Sequence, residues 1–282
     1  MTDARHLLYS PLGQPGSGRV RYGAAMALWR AGQISEAVLE VYRIAAAHDG
    51  RDPLSMLAER GLPAPPLPEP QSALQRLYTT ARAYLLTLDH PGAEDVRAGL
   101  PMDPGHEAGI TPHGNPVVER WLAPALDALR PKEPQLAEAI AGAADQLNWI
   151  TYDAYPRERI GESFATGHAY ASIMGGEAAF EAEDFDLGIF LIAPGVLYRD
   201  HRHAAPELYA PLTGPHGWRF APQRPLQIKP AHEPVWNPRY QPHMTKVGPV
   251  PFLCLFVWTR DVNEIAEVIP SDDWPALEQL SL

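Results

Sequence analysis

Apolar positions in the first half of the chain recur at three- and four-residue steps, whereas in the second half they gather into short runs separated by Gly and Pro. The change of character falls near residue 150. From Ser35 to Ala47, Val38, Leu39, Tyr42 and Ala45 or Ala46 fall on one face, predicting a helix capped by Ser35 and stopped by Gly50 and Pro53. Leu74, Leu77, Tyr78, Ala81, Leu85 and Leu88 form a second stripe over Ser72 to Leu88, closed by Pro91 and Gly92. Pro116 to Leu129 and Pro134 to Leu147 read as two more helices, each opening with a proline where the first turn tolerates it. Leu62 to Pro70 is too rich in proline for a helix and reads as an extended strap, and residues 99–116 read as loop. Beyond Phe164, the stretches His168 to Met174, Leu187 to Ala193, Glu207 to Thr213, Leu226 to Lys229 and Phe252 to Thr259 have the length and β-branched or aromatic content of strands. Many short strands at close intervals predict a sandwich or small barrel, whose interior can hold a ligand. The expected organisation is a helical region over 1–150 and a β-barrel over 151–282.

Composition narrows the partners. A formal charge of −11 with no Lys/Arg cluster argues against nucleic acid or an anionic membrane. Met1 to Pro15 is broken by Asp3, Arg5 and His6, so it reads as neither a secretory leader nor a membrane span, and a cytoplasmic protein is the expectation. The single cysteine, Cys254, sits inside the apolar run Pro251 to Trp258 and reads as a core residue. A homodimer, paired through an edge strand or the helical half, is compatible with this composition.

The chemistry concentrates between Gly195 and Gly214. In a strand, residues two apart face one side, so His201 and His203 aim both imidazoles at one point. Glu207 follows after an irregular Ala204-Ala205-Pro206 step that lets a carboxylate come round to the same face. Two nitrogens and one oxygen suit a divalent transition metal (Zn, Fe, Mn, Co or Ni), and His243, ahead of another strand, is the best fourth ligand. His6, His48, His90, His106 and His113 belong to the helical half, and His168, His216 and His232 are weaker candidates.

Taken together, the spacing glycine, five residues, His201-x-His203, three residues, Glu207, six residues, Gly214 is identified as the first motif of the cupin superfamily. Pro238 and His243 resemble its second motif, with Tyr240 standing where that motif has glycine. The set Tyr198, His201, His203, Glu207, Tyr209, Val235-Trp-Asn-Pro238, Tyr240, His243 and Phe256-Val-Trp258 resembles the cupin-type dimethylsulfoniopropionate (DMSP) lyases over roughly 148–270. The resemblance implies a C-terminal double-stranded β-helix (jelly-roll) barrel and an N-terminal helical region. It also implies a carbon–sulfur lyase releasing acrylate and dimethyl sulfide from a zwitterionic sulfonium substrate by β-elimination. In that reading His201, His203, Glu207 and His243 hold the metal and Tyr209 abstracts the proton. Tyr198, Tyr240 and Trp258 would offer aromatic faces to the sulfonium. Tyr198 lies an odd number of residues from His203 and Glu207, so that role requires a bend near Arg199-Asp200. The same donor set serves cupin oxygenases and isomerases of small carboxylates and non-catalytic metal-binding barrels, and the residues alone leave these open.

Overall fold

A computed structural model describes residues 4–67 and 71–282. Contacts gather them into two units, Met1–Gln71 and Ser72–Leu282. The first unit holds helices α1 (Ala4–Leu8), α2 (Ser17–Arg30), α3 (Glu36–Ala45) and α4 (Pro53–Glu59). Ser35 caps α3 as expected, its Oγ accepting from the Val38 amide at 3.3 Å. Val38, Val41 and Tyr42 then bury against Leu8, Ala24, Ala25 and Leu28. Helix α2 had no clear apolar period because its buried face carries Ser17 and Arg21. The Arg21 guanidinium donates to the carbonyls of Ser10, Pro11 and Asp49, so a charged residue occupies a core position by satisfying loop backbone. Residues 62–67 of the proline-rich strap carry no helix or strand, and Pro68 to Pro70 lie outside the described residues.

The second unit begins with α5 (Ala73–Leu85), α6 (Ala93–Gly99), α7 (Pro116–Leu129), α8 (Pro134–Ala143), α9 (Arg157–Ile160) and α10 (Glu162–Gly167). Ser72 and Gln75 close a capping box at the start of α5, and Asn115 caps α7. The strands follow: β1 (His168–Gly175), β2 (Phe180–Glu181), β3 (Asp186–Ile192), β4 (Leu197–Arg202), β5 (Glu207–Pro211) and β6 (His216–Arg219). They continue with β7 (Gln227–Lys229), β8 (Val235–Asn237), β9 (His243–Lys246), β10 (Phe252–Trp258) and β11 (Glu267–Val268), before a last helix, α11 (Trp274–Gln279). One sheet runs β2-β1-β3-β10-β5-β8 and the other β11-β4-β9-β6-β7. Phe190, Tyr209 and Phe252 of the first meet Tyr198, Trp218 and Val268 of the second in one apolar cluster, the jelly-roll arrangement that the motif implied.

The two faces of the first sheet explain the domain organisation. Leu187, Ile189 and Leu191 of β3 and Leu253, Leu255 and Val257 of β10 point outward and pack with Leu77, Tyr78, Leu126, Ala137 and Ile140 of the helices. Phe190, Ile192, Cys254 and Phe256 alternate with them and face the barrel interior. Helices α5, α7 and α8 share the second contact unit with the strands because they cover a sheet face that would otherwise meet water. Cys254 is fully buried, in keeping with a core role. Among the described residues no helix is long and apolar enough to cross a membrane.

Candidate metal centre and cavity

His201 lies on β4, His203 directly follows it, Glu207 opens β5 and His243 opens β9. His201 pairs across with His243, while β5 belongs to the other sheet, so these four residues join the two halves of the barrel. Between Tyr198↔Thr245 and His201↔His243, β4 spends three steps against two on β9. The extra residue is a β-bulge at Arg199-Asp200, where the sequence required a bend. It turns Tyr198 and His201 to the same side, where their rings stack 3.9 Å apart.

Each histidine is oriented by backbone two residues away. Nδ1 of His201 donates to the Arg199 carbonyl at 2.8 Å, Nδ1 of His203 to Ala205 at 2.7 Å and Nδ1 of His243 to Gln241 at 2.9 Å. With those protons committed, the Nε2 atoms present lone pairs to one another, and the three side chains have ligand atoms within 4.8 Å of each other. Glu207 Oε2 lies 3.1 Å from His203 Nε2 and 3.3 Å from His243 Nε2, though the latter contact lacks hydrogen-bond alignment. Nε2 of both His201 and His243 is buried with no hydrogen-bond partner. Burial, reinforced by His243 and His203, holds His201 well below its ordinary pKa and so neutral. Burial alone would raise the Glu207 carboxyl, but the neighbouring His203 and His243 outweigh it and keep the group well below the usual carboxylate range. Lone pairs converging on a carboxylate repel unless a proton or a cation lies between them. Three imidazole nitrogens and one carboxylate are a donor set that fits a divalent transition metal.

Tyr209 stands two residues beyond Glu207 on β5, faces the same interior and is 3% exposed. Burial and then the Glu207 charge push its phenol well above the ordinary value. Trp258 is directly opposite Glu207 in the β5–β10 ladder. Its Nε1 donates to Glu207 Oε1 at 2.8 Å and its ring stacks 4.7 Å from that of His203. Tyr198 is sandwiched between His201 and Phe164, with its hydroxyl 3.4 Å from that of Tyr155. Tyr240 is not brought to the cluster: it is 52% exposed, has a left-handed φ of 56°, and lies beside the Arg239 guanidinium. Its amide donates to the His203 carbonyl, so its contact with the centre runs through backbone.

A cavity of about 180 Å³ opens beside Glu207 and Tyr209, walled by Tyr198, Trp258, Phe190 and Phe256. Sequence reasoning missed part of its lining. Tyr152 and Tyr155 come from the segment before α9, Tyr170 from β1 and Asp186 from the start of β3. Asn237, in register opposite Glu207 and wholly buried, has no partner for either side-chain polar atom. The signals available were weak: Asp186 is the last of the acidic residues Glu181, Glu183, Asp184 and Asp186 ahead of an apolar strand, and Asn237 precedes the motif proline. The remaining histidines of the barrel have backbone or side-chain partners. His168 Nε2 accepts from the Tyr152 amide at 3.0 Å, His216 Nδ1 from the Gly248 amide at 3.1 Å, and His232 meets the Tyr84 hydroxyl. Trp218 is fully buried against Tyr209 and Phe252, and Trp236 packs on the outer face.

Comparison with known proteins points to one group. The dimethylsulfoniopropionate lyase family matches residues 97–254, a stretch running from α6 into β10 and containing all four cluster residues. Dimethylsulfoniopropionate lyase DddQ of Ruegeria pomeroyi is 27% identical over 163 residues, 55% of this chain and 77% of that protein. A solved structure from work on the DMSP lyases RdDddP and RnDddQII superposes with a TM-score of 0.55 at 20% identity, covering 70% of this chain and 98% of that one. DMSP lyase DddQ from Ruegeria pomeroyi DSS-3 superposes with a TM-score of 0.53 at 19% identity, covering 70% and 95%. At such identities the superpositions establish the shared fold.

Proposed function

Because the chain belongs to the dimethylsulfoniopropionate lyase family of cupin-fold carbon–sulfur lyases, we propose that it cleaves DMSP to acrylate and dimethyl sulfide with Tyr209 as the base. His201, His203, Glu207 and His243 would hold one divalent transition metal. The observation that carries the reading is the convergence of three backbone-locked imidazoles and Glu207 beside the Tyr209 hydroxyl, at the wall of a small aromatic cavity.

When bound, the cation supplies positive charge that offsets the substrate carboxylate and favours phenolate over phenol. That charge matters because burial and Glu207 otherwise keep Tyr209 protonated. The phenolate takes the proton on the carbon next to the carboxylate; the released electron pair forms the carbon–carbon double bond, and the carbon–sulfur bond breaks with its electrons going to sulfur. Neutral dimethyl sulfide leaves and acrylate remains, so no further oxidant or nucleophile enters. Trp258 holds Glu207 by its indole N–H and offers an aromatic face to the cavity. Tyr198, with Phe164 behind it, forms a rigid wall against His201.

Metal analysis on purified protein, before and after chelation and after reloading with Zn, Mn, Fe, Co or Ni, tests the ligand set. One equivalent of metal, lost in His203→Ala and His243→Ala together with dimethyl sulfide release, is the expected result. Full metal content and full turnover in either variant would remove those residues from the centre.

A further inference from the structure

Glu207, Trp258 and Asp186 form one row across the first sheet: Trp258 is in register with Glu207 on β5 and with Asp186 on β3. Residues directly opposite one another share a face, and two strand spacings put the Glu207 and Asp186 backbones about 10 Å apart. Both line the same cavity, with the indole of Trp258 between them. Glu207 and Tyr209 mark the end where the imidazoles converge. Asp186 marks the side across Trp258, beside Tyr170 of β1.

Asp186 carries a charge for which the described residues supply no cation. Its Oδ1 is buried with no hydrogen-bond partner. Desolvation raises its carboxyl to about 7, as expected for an acid kept from water without a counter-ion. A carboxylate in that position lowers stability unless something positive joins it.

We propose that Asp186 is the counter-ion for the sulfonium group of the substrate and makes the cavity selective for carboxylates with a cationic tail. The inference rests on the DMSP reading of the site. A substrate carboxylate at the imidazole end extends its tail toward Asp186, leaving the carbon between them to Tyr209. The sulfonium cannot donate a strong hydrogen bond, so it is recognised by charge and by the faces of Trp258 and Tyr170, two of the aromatic walls next to Asp186. Asp186 touches no reacting bond; its role is specificity.

The test compares metal-loaded wild type, Asp186→Asn and Asp186→Glu. KM and kcat are measured with DMSP, and dissociation constants by calorimetry with two unreactive analogues, 3-(trimethylammonio)propionate and its isostere with an uncharged tail, 4,4-dimethylpentanoate. Wild type should prefer the cationic analogue. Asp186→Asn should raise KM for DMSP about tenfold with a smaller change in kcat, lose that preference, and melt no lower than wild type; Asp186→Glu should recover part of the preference. Unchanged KM and preference in Asp186→Asn would overturn the proposal, as would wild type binding both analogues equally or neither. A purely structural Asp186 would instead lower the melting temperature and leave the preference intact. Because the binding arm needs no turnover, a protein that selects the cationic analogue through Asp186 yet releases no dimethyl sulfide would sink the lyase reading and leave this inference standing.

Discussion

Each imidazole of the cluster gives its Nδ1 proton to a carbonyl two residues away, so its Nε2 can do one thing, accept a cation. Trp258 completes this orientation from the carboxylate side. Trp258→Phe keeps the ring against His203 but removes the bond to Glu207 Oε1, and should weaken metal binding about tenfold, read by competition with a chromogenic chelator. Unchanged affinity would mean Glu207 is held by other contacts. His201, His203, Glu207 and Tyr209 were legible in the sequence because a strand's two-residue repeat and one fixed spacing bring them together, and His243 from its place ahead of a strand and its likeness to the second motif. Asp186, Tyr170 and Tyr155 were not, because they reach the cavity through strand register and a loop, which local sequence does not record.

Elements carry the site by alternation. On β3 and β10 every second residue faces the helices and the others face the barrel, so the same strands build the outer core and the cavity wall. Gly188 is where this leaves least room: a Cβ there would lie 2.4 Å from the Phe256 ring and 2.6 Å from the Ala171 carbonyl. Gly188→Ala should push Phe256 into the cavity, destabilise the fold by about 1–3 kcal/mol and raise KM, checked by thermal melts and initial rates. An unaltered melt and KM would show the strands have slack. The β4 bulge is the other device, since in a regular strand Tyr198 and His201, three residues apart, would face opposite ways. Helices with a clean apolar stripe, α3, α5, α7 and α8, were readable. Helix α2 was not, because Arg21 lies on its buried face, and strands as short as β8 and β9 are fixed by their partners rather than by propensity.

The whole molecule places buried histidines where acid should release them. His168 and His216 are each pushed down to about 4 by burial, and each accepts a backbone amide. Unfolded imidazoles take up protons near 6.5, so the unfolded state binds more protons between about 6.5 and about 4. Stability from these two groups is therefore full above that window and is lost as pH falls through it, by roughly 3 kcal/mol each at most. Asp186, raised to about 7, works oppositely: its native form holds a proton between about 4 and about 7, and its contribution is lost as pH rises. Melting temperatures from pH 7.5 to 4.5 should fall on acidification, and more steeply in Asp186→Asn; a flat profile in both would mean the histidines are not held neutral. The most direct test of the central claim is headspace gas chromatography for dimethyl sulfide from DMSP, comparing wild type with Tyr209→Phe at equal metal content. The account predicts sustained release by wild type and loss of nearly all of it in the variant, with folding and bound metal unchanged. Undiminished release by Tyr209→Phe would contradict it, and no release by wild type with any of the five metals would contradict the lyase reading itself.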